Sequence, residues 1–129
     1  MIDRLKGRVA LVTGASAGIG LAICRRLAGE GMEVILVARR RERLSALADE
    51  LHAQGRSALA VPADLLLESE RRRVHDEVLA ACGPVDVLVN NAGLGWYGYG
   101  CRMPWAVARE MLGVNVEALV HLTCSACLR

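Results

Sequence analysis

The sequence predicts a doubly wound α/β fold on a parallel β-sheet, and three observations lead to that prediction. Short apolar runs alternate along the chain with longer segments of helical period, as in strands joined by helices. The apolar run at 33–38 is almost uninterrupted, which is typical of a strand covered on both faces. Gly31, Gly55 and Gly83 stand where helical segments stop, a position that favours a left-handed residue. Strands separated by single helices are connected by right-handed crossovers and therefore lie parallel.

The individual elements follow from the same patterns. Strands are expected at residues 8–13, 33–38, 57–62 and 86–90. Helices are expected at residues 18–30, 41–54 and 67–82, with two further helices near 104–113 and 115–128. In the second helix Leu44, Leu47 and Leu51 share one side, so that side is predicted to face the sheet.

Composition indicates one packed domain, which we assign to residues 1–129. The 53% of hydrophobic residues predicts a buried core, and the net charge of +2 does not indicate a nucleic-acid partner. The arginine runs 39–41 and 71–73 could contact phosphate, but solvated helix faces are the simpler interpretation. No apolar run reaches the roughly 18 residues of a membrane helix. The five scattered cysteines favour reduced thiols and a cytoplasmic location.

No metal site is expected. Cys124 and Cys127 have the spacing of a metal or redox pair, but they lie in an apolar helical run without a second pair. A buried structural role is therefore predicted for both. His121 lies in the same run and is expected in the core or in an interface.

A glycine-rich loop after the first strand predicts a site for the phosphates of a dinucleotide. Residues 13–20 read Thr-Gly-Ala-Ser-Ala-Gly-Ile-Gly and open the first helix. Gly14 can make the tight turn, Gly18 lets backbone N–H groups approach a pyrophosphate, and Gly20 lets the helix pack closely on the strand. The helix N-terminus adds about half a positive charge. The position of the loop between a strand and a helix makes the evidence for such a site stronger than a glycine cluster alone would.

Small or polar groups stand at the expected carboxyl ends of all four strands, namely Gly14, Arg39, Asp64 and residues 90–93. Ligands of open parallel sheets lie beyond those ends. A carboxylate after the second strand would accept a hydrogen bond from a ribose 2′-hydroxyl, but this chain has Arg39 and Arg40 there. Guanidinium groups bind phosphate through charge-assisted hydrogen bonds, so NADP is favoured over NAD. The alternative is that Arg39 merely begins a solvated helix.

Together these motifs resemble the N-terminal, cofactor-binding half of the short-chain dehydrogenase/reductase family. The matching elements cover essentially the whole chain in the family's order: Thr13-Gly14-xxx-Gly18-Ile19-Gly20, Asp64-Leu65, Asn90-Asn91-Ala92-Gly93 and Asn115. The resemblance implies an incomplete Rossmann-like sheet of about four strands in the order 3-2-1-4 with flanking helices. It also implies hydride transfer between a nicotinamide and a small-molecule carbonyl or alcohol.

The resemblance implies a role for individual residues as well. Asp64 would bind the adenine with help from the Leu65 backbone, and residues 91–93 would line the cofactor ribose. Asn115 resembles the family's catalytic asparagine, which kinks a helix and holds a water in the proton relay. Ser16 could donate to a 2′-phosphate, although the loop lacks the basic residue that many NADP-preferring relatives carry there. The expected cofactor-binding residues are Gly14, Ser16, Gly18, Ile19, Gly20, Arg39, Asp64, Leu65, Asn91, Ala92 and Gly93.

The family's catalytic Ser and Tyr-xxx-Lys do not occur before the last residue, Arg129. Tyr97 and Tyr99 have no lysine four residues on, and Lys6 is the only lysine. We therefore expect a cofactor-binding half that is inactive alone, with strand 86–90 as an exposed edge. The family's dimer helices imply a homo-oligomer if the enzyme is complete.

Two other questions stay open at this point. The first is whether the chain is a non-catalytic dinucleotide-binding or interaction module, which would keep the phosphate loop and dock a partner on the apolar last helix. A methyltransferase is a further alternative for the function, since it also carries a glycine-rich loop, but residues 90–93 and Asn115 argue against it.

The second open question is whether segment 93–100, rich in glycine and aromatic residues, forms a wall over a ligand or an ordinary surface loop.

Overall fold

Four parallel strands form the sheet in the computed structural model, which describes residues 4–127. They are β1 (Val9–Thr13), β2 (Glu33–Ala38), β3 (Ala58–Pro62) and β4 (Val87–Val89). Their order across the sheet is β3-β2-β1-β4, and every neighbouring pair is parallel, which confirms the predicted fold class. The helices between them are α1 (Gly18–Gly29), α2 (Arg41–Ala53) and α3 (Glu68–Cys82).

Each face of the sheet carries its own apolar cluster. Side chains of β2 alternate, so that Val34 and Leu36 join the cluster with α1 and α2, while Ile35 and Val37 join the other. The second cluster packs against α3 and the last helix of the chain. The leucines at 44, 47 and 51 are buried, as the period of α2 predicted. Burial on both faces leaves the carboxyl ends of the strands as the place for a cleft.

The last part of the chain forms one continuous helix, so the prediction of two separate helices was wrong. α4 (Trp105–Leu112) runs through a π-helical segment (Gly113–Ala118) into α5 (Leu119–Cys127). Gly113 keeps helical dihedral angles instead of ending the helix. A Cβ at this glycine would collide with Cδ1 of Leu66, so the glycine marks a close approach between elements. Residue 128, the end of the predicted helix, lies outside the described residues.

β4 lies at one edge of the sheet, where residues 87–89 pair with residues 10–12 of β1. Along the neighbouring helix, Val116, Leu119 and Val120 expose apolar side chains. Within residues 4–127 no helix has both the length and the apolar character needed to cross a membrane.

Three expectations about burial were wrong, and they concern Arg71, Cys124 and Cys127. The Arg71 residue is only 2% exposed, although it was expected on a solvated helix face together with Arg72 and Arg73. Cys124 and Cys127 are both exposed. The helix that carries them turns Ala118 and Leu122 toward the core, and the cysteines lie on its other sides. His121 is half-buried and accepts a hydrogen bond from Arg71 Nε at Nδ1.

The cysteines give a first testable prediction, because their exposure divides them into two groups. Burial raises the pKa of the Cys24 thiol to about 12. Burial, followed by a hydrogen bond to Glu33, raises the pKa of Cys82 to about 11. Since the thiolate is the reactive form, we expect a disulfide reagent at pH 8 to modify the three exposed cysteines, 101, 124 and 127, rapidly. The other two thiols should react only in denaturant, and five thiols reacting at one rate would contradict the fold.

Candidate functional site

A cleft of about 350 Å³ opens beyond the carboxyl ends of the strands. Its walls come from the loops that follow all four strands and from α4 and the π-helical segment, through Glu110 and Val114. Most of the residues predicted to bind a cofactor line it: Gly14, Ser16, Arg39, Asp64, Leu65, Asn91, Ala92 and Gly93. The remaining three begin α1, where Gly18 and Ile19 are exposed and Gly20 is buried beneath the loop.

The glycine-rich loop has a backbone that only glycine adopts easily. Gly14 has φ +66° and Gly18 has φ +56°, both in the left-handed region. Position 20 requires glycine for a different reason. A Cβ there would collide with the Gly14 carbonyl oxygen and the Asn91 amide nitrogen. The sequence predicted that Gly20 lets the helix pack closely on the strand; its close contacts are instead with the glycine-rich loop and with the segment after β4. Ala15 N donates to Val37 O at 3.2 Å and fixes the loop to β2.

The N-terminus of α1 is suited to bind an anion. Its cap residue is Ala17, whose methyl side chain cannot accept a cap hydrogen bond. No acidic residue occurs in its first turn. The N–H groups of that turn are therefore not taken up by a side-chain cap, and the helix dipole adds to their attraction for phosphate.

Thr13 and Asn91 hold the loops after β1 and β4 together. The Thr13 hydroxyl oxygen accepts hydrogen bonds from the backbone N–H groups of Asn91 and Ala92, both at 3.0 Å. Asn91 Nδ2 donates to the Gly14 carbonyl at 3.2 Å. The structure thus adds a role for Thr13 that its place in the sequence motif did not reveal, because its partners lie almost 80 residues away.

The loop after β3 forms the opposite wall. Asp64 Oδ1 accepts a hydrogen bond from Leu66 N at 3.1 Å, which closes a tight turn. Leu65 buries its side chain in the core and is 6% exposed. Its backbone thereby stays beside the cleft, next to the Asp64 carboxylate.

Two arginines at the end of β2 give the cleft positive charge. Arg39 and Arg40 are exposed and border it, just before α2 begins. Arg25, Arg72 and Arg73 all pair with carboxylates, whereas neither Arg39 nor Arg40 forms an ion pair within residues 4–127. Both guanidinium groups are therefore available to an anionic ligand.

Asn115 lies in the π-helical segment and contacts the loop after β4. Its Oδ1 accepts from Leu94 N and its Nδ2 donates to Leu94 O, each at 2.8 Å. The side-chain amide thus pairs with both backbone groups of Leu94, which itself lines the cleft. The helix departs from α geometry at this residue, where the family resemblance implies a kink.

Replacing Asn115 by leucine should therefore loosen the contact between the helix and the loop after β4. Both backbone groups of Leu94 would lose a half-buried partner, so we expect the free energy of unfolding to fall by about 2 kcal/mol. Urea denaturation measures this change. Asn90 offers a control, because the single side-chain hydrogen bond that it makes within residues 4–127, to Thr123, is exposed. An Asn90→Leu variant should lose less than half as much, and equal losses would contradict the special role of residue 115.

The aromatic segment after Gly93 does not form a wall over the cleft. Gly93 and Leu94 line it, but Tyr97 and Tyr99 are exposed to solvent. Trp96 is half-buried, and its Nε1 has no hydrogen-bond partner among the described residues.

Glu110 is a cleft residue that sequence reasoning missed, because no local signal links it to the strand ends. Within residues 4–127 no group of three or more metal-binding side chains is present.

Residues 8–128 match the family model described as short chain dehydrogenase. A short chain dehydrogenase of Pseudocercospora fijiensis is 41% identical over 125 residues, which are 93% of this chain and 40% of that protein. A metagenomic short-chain oxidoreductase solved in complex with NADP has a TM-score of 0.89 and 42% identity, over 93% of this chain and 55% of its own. L-sorbose reductase from Gluconobacter frateurii, complexed with NADPH and L-sorbose, has a TM-score of 0.89 and 35% identity, over 93% of this chain and 46% of its own. The chain therefore spans about half the length of these relatives, or less.

Proposed function

This chain belongs to the short-chain dehydrogenase family of oxidoreductases, and on that basis we propose that it forms the binding site for NADP in such an enzyme. When bound, the nicotinamide supplies or accepts the hydride in the interconversion of a carbonyl and an alcohol. The observation that carries the proposal is the convergence on one cleft of the α1 N-terminus, the glycine-rich loop and Arg39, which forms no ion pair within residues 4–127. The loop fits a pyrophosphate because its glycines leave no Cβ between the backbone and the ligand.

The proposed residue roles follow from where each group lies in the cleft. The loop backbone from Gly14 to Gly20 and the α1 N-terminus would hold the pyrophosphate. Asp64 and the Leu65 backbone would bind the adenine, and residues 91–93 would line the ribose. Asn115 would hold a water for proton relay, while its amide keeps the Leu94 backbone in place. These roles accord with the cleft lining and with the order of the motifs along the chain.

The choice of NADP over NAD depends on the end of β2. A 2′-phosphate carries two negative charges near neutral pH, and a guanidinium binds such a group in a forked geometry. Arg39 and Arg40 border the cleft without ion-pair partners among the described residues, and Ser16 lies on the cleft wall as a possible further donor. Several structurally similar proteins were solved with NADP or NADPH, which supports the same choice.

We propose that these 129 residues bind the cofactor without reducing carbonyls by themselves. Asn115 is the one residue of the family's catalytic set that the sequence contains. Tyr97 and Tyr99 face solvent and have no lysine four residues on. A cytoplasmic location and assembly with further copies are part of the same proposal, the latter because Val116, Leu119 and Val120 present an exposed apolar strip on the last helix.

A fluorescence titration of the purified protein with NADPH and with NADH tests the proposed function. Trp96 adjoins the segment that lines the cleft, so bound reduced nicotinamide should quench it by energy transfer. We expect saturable binding of both cofactors, with a dissociation constant at least tenfold lower for NADPH than for NADH. Tighter binding of NADH would overturn the assignment of Arg39, and the absence of binding to either would overturn the function.

The alternative function is a dinucleotide-binding or interaction module without catalysis in any assembly. The specific observation in its favour is the same exposed apolar strip of Val116, Leu119 and Val120. Oxidation of NADPH with a panel of aldehydes and ketones, measured on the complete gene product, separates the two. Turnover supports the oxidoreductase, whereas tight binding without turnover supports the module.

A further inference from the structure

Arg71 is a buried cation that neither the fold nor the proposed roles above explain. It lies in α3 and is 2% exposed. All three of its guanidinium nitrogens donate hydrogen bonds. Nη1 donates to the carbonyl oxygens of Leu65 at 2.8 Å and Leu66 at 3.3 Å, Nε donates to His121 Nδ1 at 2.9 Å, and Nη2 donates to Glu117 Oε1 at 2.6 Å.

These bonds connect two elements that line different sides of the cleft, namely the loop after β3 and the last helix. The two carbonyl groups belong to the loop after β3, where the adenine is proposed to bind. Glu117 belongs to the π-helical segment, and His121 follows one turn later in α5. The same loop touches the same helix a second time, because Leu66 packs over Gly113. Arg71 therefore bridges the adenine loop and the helix that contains Asn115.

The environment of the guanidinium explains why this bridge is fixed in place. A buried cation is costly unless every donor is satisfied, so the partners cannot separate without exposing or stranding the charge. Glu117 is 64% exposed and supplies a partly solvated counter-charge. The two carbonyl groups and His121 are the less exposed partners. The neighbouring Arg72 is exposed, and within residues 4–127 it pairs with Glu68 alone, one turn before it.

We propose that Arg71 is a positioning residue that sets the place of the adenine loop relative to the helix. This inference rests on the proposed cofactor site. With Arg71 in place, the Leu65 and Leu66 carbonyl groups point toward α3, and the Leu66 N–H stays bonded to Asp64. The Asp64 carboxylate and the Leu65 backbone are thereby held beside the cleft. Loss of Arg71 should weaken binding of the adenosine half of the cofactor and leave the nicotinamide half unaffected.

The test compares Arg71→Met with Arg71→Lys and with the control Arg72→Met. Methionine keeps much of the side-chain volume without any donor, while lysine keeps the charge but lacks the fork that reaches both the loop and the helix. The ligands are adenosine 2′,5′-diphosphate, ADP and nicotinamide mononucleotide. Binding is measured by calorimetry on the complete protein. Thermal denaturation identifies any variant that does not fold.

We expect the Arg71→Met and Arg71→Lys variants to bind the two adenosine ligands about tenfold more weakly, a change of about 1.4 kcal/mol. Binding of nicotinamide mononucleotide and all binding by the Arg72→Met variant should change less than twofold. Equal weakening of all ligands would assign Arg71 a general structural role and overturn the proposal, as would unchanged adenosine binding. If the parent protein bound none of these ligands, the proposed function itself would fail, and this inference with it.

Amide exchange gives a second measurement that needs no ligand and works even if one variant folds poorly. The Leu66 N–H is bonded to Asp64 in the turn that Arg71 supports. Exchange at this amide should accelerate in the Arg71→Lys variant while amides of β2 keep their protection. Unchanged exchange at Leu66 would show that the turn stands without Arg71, and would overturn the proposal.

Discussion

Replacing Gly20 by alanine is expected to abolish tight dinucleotide binding and to lower the free energy of unfolding by about 3 kcal/mol. The added Cβ would collide with the Gly14 carbonyl oxygen and with Asn91 Nδ2. The first atom belongs to the backbone of the glycine-rich loop, and the second to the side chain that connects this loop to the segment after β4. Neither can withdraw without moving the loop, so we expect NADPH to bind about 100-fold more weakly, a change of about 2.8 kcal/mol.

Gly29 provides the matched control, because it is the last residue of the same helix. A Cβ there meets nothing within 4 Å. Since alanine favours a helix over glycine, the Gly29→Ala variant should be unchanged or more stable by up to about 1 kcal/mol. Its affinity for NADPH should equal that of the parent. Chemical denaturation and titration with NADPH measure both variants, and similar behaviour of the two would contradict the packing described for Gly20.

Replacing Arg39 by alanine is expected to weaken NADPH binding by about 10- to 100-fold while leaving NADH binding unchanged. A hydrogen bond to a charged group contributes about 1.5–3 kcal/mol, which corresponds to that range. The side chain is exposed, so the fold should keep its stability. The Arg39→Asp variant should bind NADH more tightly than NADPH. Its carboxylate would repel the 2′-phosphate and accept a hydrogen bond from a free 2′-hydroxyl.

Arg43 is the control for charge alone, since it is an exposed arginine of α2 that does not border the cleft. The Arg43→Ala variant should bind both cofactors within about twofold of the parent at physiological salt, where the Debye length is about 8 Å. If the Arg39→Ala and Arg43→Ala variants lose NADPH affinity equally, the effect is one of net charge. The assignment of Arg39 to the 2′-phosphate would then be wrong.

The sheet and its order could be predicted because their signals are local. Apolar runs of strand length, helical periods and terminal glycines depend on residues a few positions apart, and a parallel sheet leaves few ways to arrange them. The strands observed agree with those expected to within a residue at each end. The glycine loop was recognisable for the same reason, since Gly14 and Gly18 adopt positive φ values that a turn at this place requires.

The residues that sequence reasoning misread are those whose meaning depends on a distant partner. Gly113 reads as the end of a helix, yet it is the point where Leu66 touches a helix that continues. Arg71 looks in the sequence like one of three solvated arginines, yet it also bonds to the side chains of Glu117 and His121, 46 and 50 positions further along the chain. Cys124 belongs to an apolar run, yet it faces outward. Composition cannot distinguish these cases, because burial is decided by which elements pack together.

The chain's local chemistry thus specified four strands, a glycine-rich loop and a positively charged strand end, while packing decided how the walls of the cleft are held in place. Thr13, Asn91 and Asn115 act through hydrogen bonds that connect the loop after β4 with β1, with the glycine-rich loop and with the π-helical segment. Such bonds form only after the sheet has brought the strand ends to one edge. Their geometry therefore arises from contacts between residues far apart in sequence, which no periodicity along the chain records.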